Sequence, residues 1–110
     1  MPTIYKVLGQ NAPLAATQTN IYTVPAGKQA VISTIVVANR SGTNRLYRIA
    51  VRPGGATLAN QHYIAYDVTV GGGDSTTLTL GITLATTDVI AVYATDADLS
   101  FSLFGSEIDL

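Results

Sequence analysis

Apolar and polar residues alternate along much of this chain with a period of two, the pattern of β-strands that bury one face. Residues 45–52 and 76–84 show the alternation most clearly. Their inward positions are predicted to be Tyr47, Ile49 and Val51 in the first, and Leu78, Leu80, Ile82 and Leu84 in the second. No segment repeats its apolar residues with the 3.6-residue period of a helix.

The most apolar and β-branched run is residues 29–38, whose two faces are both largely apolar. Such a run predicts a strand that is covered on both sides and lies inside its sheet. It sits within residues 20–52, which we interpret as three strands joined by two turns, Pro-Ala-Gly-Lys and Asn-Arg-Ser-Gly-Thr-Asn. This stretch is the predicted centre of the fold.

Further strands are predicted at residues 61–70, 89–94 and 99–104, with a glycine-rich turn at residues 71–74. The fold class is therefore all-β: a single antiparallel β-sandwich of about seven or eight strands. Jelly-roll and immunoglobulin-like connectivity both fit this spacing. The predicted organisation is a strand or arm with a loop over residues 1–19, the sandwich over 20–104, and a C-terminal tail over 105–110.

Composition limits the classes of partner. Only 12% of residues are charged, against about 25% in a typical soluble domain, and the net charge is −1. Binding to nucleic acid needs clustered Lys and Arg, so none is expected. No secretory signal and no apolar run long enough for a membrane helix is apparent, so no membrane partner is expected either. A surface so poor in charge favours packing against other protein chains.

The sequence carries no motif for catalysis. There is no cysteine, and His62 is the single histidine, so a metal site lacks ligands. The Asp96-Ala97-Asp98 spacing lacks the rest of a calcium loop, and residues 71–73 lack the Lys and helix of a phosphate loop. We expect no catalytic, cofactor-binding or metal-binding residues and no enzymatic activity.

Candidate contact residues are aromatic or basic and lie on or beside predicted strands. Arg45 and Arg48 are three residues apart, so their side chains point to opposite faces of the predicted strand and the arginines form no single stripe along it. Tyrosine is common at protein interfaces, and we expect Tyr63 or Tyr66 to be exposed, since the core does not need both faces of that strand. The candidate interface comprises Tyr5, Arg40, Arg45, Arg48, His62, Tyr63 and Tyr66.

Several blocks of the chain resemble small virion structural proteins of tailed bacteriophages, notably cyanophages. The first blocks read IYTVPAGK and AVISTIVVANR at residues 21–28 and 30–40. A second region, YRIAVRP to ANQHYIAYD, covers residues 47–53 and 59–67, and the ending, residues 88–90 to 103–108, is similar too. The resemblance implies a non-enzymatic particle component with a β-sandwich fold.

From this resemblance we expect a structural virion protein, foremost a capsid decoration (cement) protein that bridges capsid subunits and stabilises the head. Its partners would be itself, as a dimer or trimer, and the major capsid protein or other virion proteins, in a virion assembled in the host cytoplasm. One alternative is a tail, neck or fibre component. Another is a carbohydrate-binding module on a fibre, with Asn60, Tyr66 and Asp67 as its nearest candidate residues.

Overall fold

A computed structural model describes residues 2–110, so Met1 of the predicted N-terminal segment lies outside the described residues. The described chain contains eight strands and two single-turn 3₁₀ segments, Pro53–Gly55 and Asn60–His62, between the fourth and fifth strands. The strands are β1 (Thr3–Asn11), β2 (Thr19–Thr23), β3 (Lys28–Asn39), β4 (Arg45–Arg52), β5 (Tyr63–Val70), β6 (Ser75–Leu84), β7 (Val89–Ala94) and β8 (Leu99–Asp109).

The strands form two antiparallel sheets of four. The first sheet has the order β1-β8-β3-β6 and the second has the order β2-β7-β4-β5. Only β4 and β5 are neighbours both in the chain and in a sheet, and the other connections cross from one sheet to the other. This is the strand order of a jelly roll, which resolves the connectivity that the sequence left open.

The core lies between the inner faces of the two sheets. Tyr47 of β4 meets Phe101 of β8 edge to face, with ring centroids 6.2 Å apart. Both rings are fully buried, as are Ile35 of β3 and Ile49 of β4. The predicted inward face of β4 is confirmed, because its apolar positions alternate with Arg48 and Ala50, which face outward.

β3 lies between β8 and β6, so its predicted position inside a sheet is confirmed. The prediction that both its faces are covered is wrong. Ala30, Ile32, Ile35 and Val37 are buried in the core, whereas Val31 and Val36 are only half-buried on the outer face. Within residues 2–110 no second layer covers that face, so its apolar residues remain partly accessible.

The predicted inward position of Leu80 is also wrong. Between the pairs Ile32–Ile82 and Thr34–Thr79, β6 contains one more residue than β3. Gly81 adopts a positive φ of 65° in this bulge, which interrupts the alternation. Leu80 is consequently half exposed, while Leu78 and Leu84 keep their inward positions.

The two chain ends belong to the first sheet. β1 pairs with β8 from Thr3 to Asn11, so the described part of the N-terminal segment contains a strand. The predicted tail is wrong, because β8 continues through Gly105 to Asp109 and pairs with both β1 and β3. No helix in residues 2–110 has the length and hydropathy needed to span a membrane.

Candidate functional site

An arginine held between two tyrosine rings marks the outer face of the second sheet. The guanidinium carbon of Arg48 lies 4.2 Å from the ring centroid of Tyr66 and 4.4 Å from that of Tyr93. Its Nε donates a 2.6 Å hydrogen bond to Oδ1 of Asp67, and its Nη2 donates a 3.3 Å bond to Oδ2. Cation–π and bidentate contacts together fix the guanidinium in one orientation.

A β-bulge in β5 makes this arrangement possible. Between the pairs Tyr47–Val68 and Ile49–Ala65, β4 contributes Arg48 alone, whereas β5 contributes both Tyr66 and Asp67. Asp67 has a positive φ of 51°, which is unusual for a residue with a side chain. The bulge therefore places two side chains of β5 opposite one arginine of β4.

The charges of this cluster compensate each other. The hydrogen bond to Asp67, more than any other contact, raises the pKa of Arg48 above its ordinary value. Arg48 is therefore a permanent cation, and the carboxylate of Asp67 neutralises it locally.

A cleft of about 260 Å³ opens beside Arg48. Its floor includes Ala50 of β4 and Ala91 of β7, which are paired across the two strands and whose small side chains leave the space open. The other residues that line it come from the loop before β2, the loop before β5, and the strands themselves: Ala16, Gln18, Arg48, Leu58, Tyr63, Val92 and Tyr93.

A second surface lies on the opposite side of the molecule, on the outer face of the first sheet. Here β1, β3 and β8 form a shallow, mostly apolar groove of about 540 Å³. Tyr5 is 84% exposed and Val7 is 48% exposed, although both are apolar or aromatic. The groove is lined by Tyr5, Lys6, Val7, Val31, Ser33, Phe104, Gly105 and Ser106.

β1 is an edge strand of this first sheet, with β8 as its single strand partner. Its first five residues, Thr3 to Val7, are all exposed, including those that point toward the second sheet. Lys6, its one charged residue, forms a 2.8 Å ion pair with Glu107. An exposed apolar edge with its lysine engaged in an ion pair is a surface on which another strand can add.

The structure brings together three of the seven candidate interface residues. Arg48, Tyr63 and Tyr66 form one cluster, in which the two tyrosine rings meet edge to face at 4.8 Å. The expectation that Tyr63 or Tyr66 is exposed is confirmed, because Tyr66 is 55% exposed. Tyr5 lies on the other sheet and belongs to the apolar groove.

The other two candidate arginines contact the turn between β7 and β8. Nη2 of Arg40 donates to the carbonyl oxygen of Ala97 at 2.7 Å. Arg45 pairs with Asp98 at 3.1 Å and lies 3.6 Å from Asp96. Arg40 therefore ties the β3–β4 turn to the β7–β8 turn, Arg45 ties the start of β4 to it, and neither forms a patch with Arg48.

His62 is buried at the start of β5. Its Nδ1 accepts a 3.0 Å hydrogen bond from the backbone N–H of Ala59 and so closes the 3₁₀ turn before the strand. Residues 2–110 contain no group of three His, Cys, Asp or Glu side chains that could hold a metal ion. The imidazole thus serves the local backbone in this structure.

Sequence reasoning missed two features. Tyr93 completes the arginine cluster. In the alternation of residues 89–94, VIAVYA, it falls on the outer face of the strand, and this position is the signal that could have identified it. The second is a buried carboxylate: Glu107 accepts hydrogen bonds from the Tyr22 hydroxyl at 2.6 Å and from Lys6 Nζ at 2.8 Å. These bonds, that of Lys6 first, lower the pKa of Glu107. No signal pointed to Glu107, because it fell in the predicted tail.

The comparisons with known proteins identify the fold. No family model and no curated protein matches the chain. Among solved structures, it is similar to a chain in the structure of the infectious bursal disease virus Gx strain, with 12% identity and a TM-score of 0.55. The similarity covers 96% of this chain and 31% of that chain, so this chain spans about a third of the virus chain's length.

Proposed function

We propose that this chain is a non-enzymatic structural protein of a virion, and in particular a capsid decoration protein of a tailed phage that bridges capsid subunits. The observation that carries the proposal is the exposed apolar surface formed by β1 and the groove beside it. Its jelly-roll fold, shared with a chain from a virus structure, supports a virion role. The sequence resemblance to virion proteins supports the phage origin.

The proposed contact uses the outer face of the first sheet. Tyr5 and Val7 would be buried against a capsid subunit, and the free edge of β1 would donate and accept backbone hydrogen bonds there. With a net charge of −1, apolar contact rather than charge attraction would provide the affinity. A single small contact is weak, but many copies on one lattice, joined as dimers or trimers, gain by avidity.

The test compares purified particles that contain or lack this chain. Particles without it should lose their shells at a lower temperature, and adding the purified chain back should restore the wild-type value. The variant Tyr5→Ser with Val7→Ser should bind at least tenfold less to such particles. Leu14→Ser is the matched control, because Leu14 is also an exposed apolar residue but lies in the loop before β2.

Salt separates apolar from electrostatic attachment. Bound chain should stay on the particle in about 1 M salt, where the screening length falls to about 3 Å. Equal heat tolerance with and without the chain would contradict the decoration role. A label found only at the tail or neck would instead support a structural role at that position.

A further inference from the structure

We propose that the cleft on the outer face of the second sheet binds one pyranose ring of a neutral glycan. The inference goes beyond the virion role and does not depend on it, because the cleft and the apolar groove lie on opposite sheets. The residues that form the cleft differ from the sequence-based candidates. Asn60, Tyr66 and Asp67 do not line the cleft. Tyr66 and Asp67 instead contact Arg48, which does line it.

Size and shape favour one small ring. The cleft volume, about 260 Å³, lies just below the range of roughly 300–1,000 Å³ typical of sites for drug-sized ligands. Its floor includes Ala50 and Ala91, and Tyr63 and Tyr93 are the two aromatic residues that line it. A lining that combines aromatic residues with small apolar ones suits the C–H faces of a sugar ring, whose hydroxyls project at its rim.

Charge argues for a neutral ligand. Arg48 lines the cleft, but Asp67 neutralises it through two hydrogen bonds. An anionic ligand would have to compete with that carboxylate for the same guanidinium. These two bonds use Nε and Nη2, so Nη1 remains to donate to a ligand oxygen.

The rim carries polar groups that the protein does not use itself. The amide of Gln18 and the hydroxyls of Tyr63 and Tyr93 take no part in the side-chain hydrogen bonds found within residues 2–110. Together with Nη1 of Arg48 they supply both donors and acceptors. A polyhydroxylated ring needs both kinds of group at once.

Two residues beside the cleft also have an unusual backbone conformation. Ala16 in its rim and Asp67 behind Arg48 each have a φ of 51°. The backbone N–H of Ala16 donates a 2.8 Å hydrogen bond to the carbonyl oxygen of Ala94, which fixes the loop against β7. Strained residues kept by their surroundings are frequent where a ligand is held.

The test is a two-dimensional amide NMR titration of the purified chain with methyl glycosides of glucose, galactose, mannose, fucose and N-acetylglucosamine. We expect at least one of them to bind with a millimolar Kd, and the shifted amides to cluster around Ala50, Ala91 and Tyr93. Methyl phosphate is the charged comparison and should cause no shift in these amides.

Ala91→Leu should fill the cleft and weaken the binding at least tenfold. Its matched control is Ala38→Leu, the same change on the outer face of the first sheet, which should leave the Kd unchanged. Tyr63→Phe, which removes only a hydroxyl, provides a second variant that keeps the fold and should weaken binding several-fold. The proposal is overturned if none of the five sugars shifts the cleft amides, or if both cleft variants bind as the wild type does.

Discussion

Removing one hydroxyl group should measurably destabilise this fold. Tyr22→Phe deletes the 2.6 Å hydrogen bond from β2 to the carboxylate of Glu107 on β8, which joins the two sheets at the rim of the core. Glu107 is only 5% exposed, so water cannot fully replace the lost donor. A hydrogen bond to a buried charged group contributes about 1.5–3 kcal/mol.

For a chain of this length, the unfolding entropy means that a loss of about 1 kcal/mol in the free energy of unfolding lowers Tm by about 4 °C. Tyr22→Phe should therefore lower Tm by about 6–12 °C in a thermal melt followed by circular dichroism. Tyr47→Phe is the matched control, because Tyr47 is also buried but its hydroxyl joins no side-chain hydrogen bond within residues 2–110. Its Tm should change by less than about 2 °C.

A double-mutant cycle with Glu107→Gln assigns the effect to the pair. Because the two groups are in direct contact, we expect a coupling free energy of about 1–2 kcal/mol in urea unfolding at neutral pH. A coupling below about 0.3 kcal/mol would mean that the hydroxyl and the carboxylate act independently, and it would contradict a stabilising bond between Tyr22 and Glu107.

The pH dependence has a definite sign. The pKa of Glu107 is lower in the folded chain than in the unfolded chain, first because of Lys6 and then because of Tyr22. Its ionised form therefore stabilises the fold above the unfolded value of about 4.3, and this contribution is lost as the pH falls through the folded pKa. Tyr22 stays protonated, because burial and Glu107 raise its pKa. The stability difference between wild type and Glu107→Gln should therefore be constant above about pH 6, and it should shrink as the pH falls below about 5 toward the lowered folded pKa.

Three further pairs of substitutions, each a test variant with its control, probe the rest of the structure by urea unfolding. Arg48→Lys should lower the free energy of unfolding by about 1–2 kcal/mol, because lysine cannot make both hydrogen bonds to Asp67 while it lies between two rings. Its control, Arg40→Lys, alters a single hydrogen bond to a carbonyl oxygen and should lower it by less than about 0.5 kcal/mol. Gly105→Ala should cost at least about 2 kcal/mol, because a Cβ there would overlap the carbonyl oxygen of Val31, while Gly42→Ala meets nothing within 4 Å and should be nearly neutral. Leu103→Ala in the core should cost about 2–5 kcal/mol and Leu80→Ala less than about 1, and equal costs would contradict the bulge at Gly81.

The sequence predicts the strands of this protein better than their details. The alternation of apolar and polar residues predicted β4 with the same first and last residues as in the structure, and the apolar run of β3 correctly predicted a strand inside a sheet. These predictions succeed because burial of one face imposes a period of two on the residues themselves. Which strands pair is a long-range property, so the pattern alone left two connectivities open.

The bulges explain why the candidate site was found only in part. Asp67 and Gly81 each adopt a positive φ in a bulge, where one strand has one residue more than its partner. The position of a bulge depends on the partner strand, which the pattern of a single strand does not contain. The strict alternation therefore assigned Leu80 to the core and gave no reason to join Asp67 to Arg48. The sequence did not predict the roles of Tyr93 and the two alanines of the cleft floor, because the cleft lies between elements that are distant in sequence.

The central proposal is that this chain decorates a capsid through the outer face of its first sheet. The most direct measurement is a cryo-electron microscopy map of the assembled particle at a resolution that traces this jelly roll. The chain should lie on the outside of the capsid, with Tyr5, Val7 and the edge of β1 buried against neighbouring subunits. A map in which the chain is absent from the capsid, or in which that face is open to solvent, would contradict it.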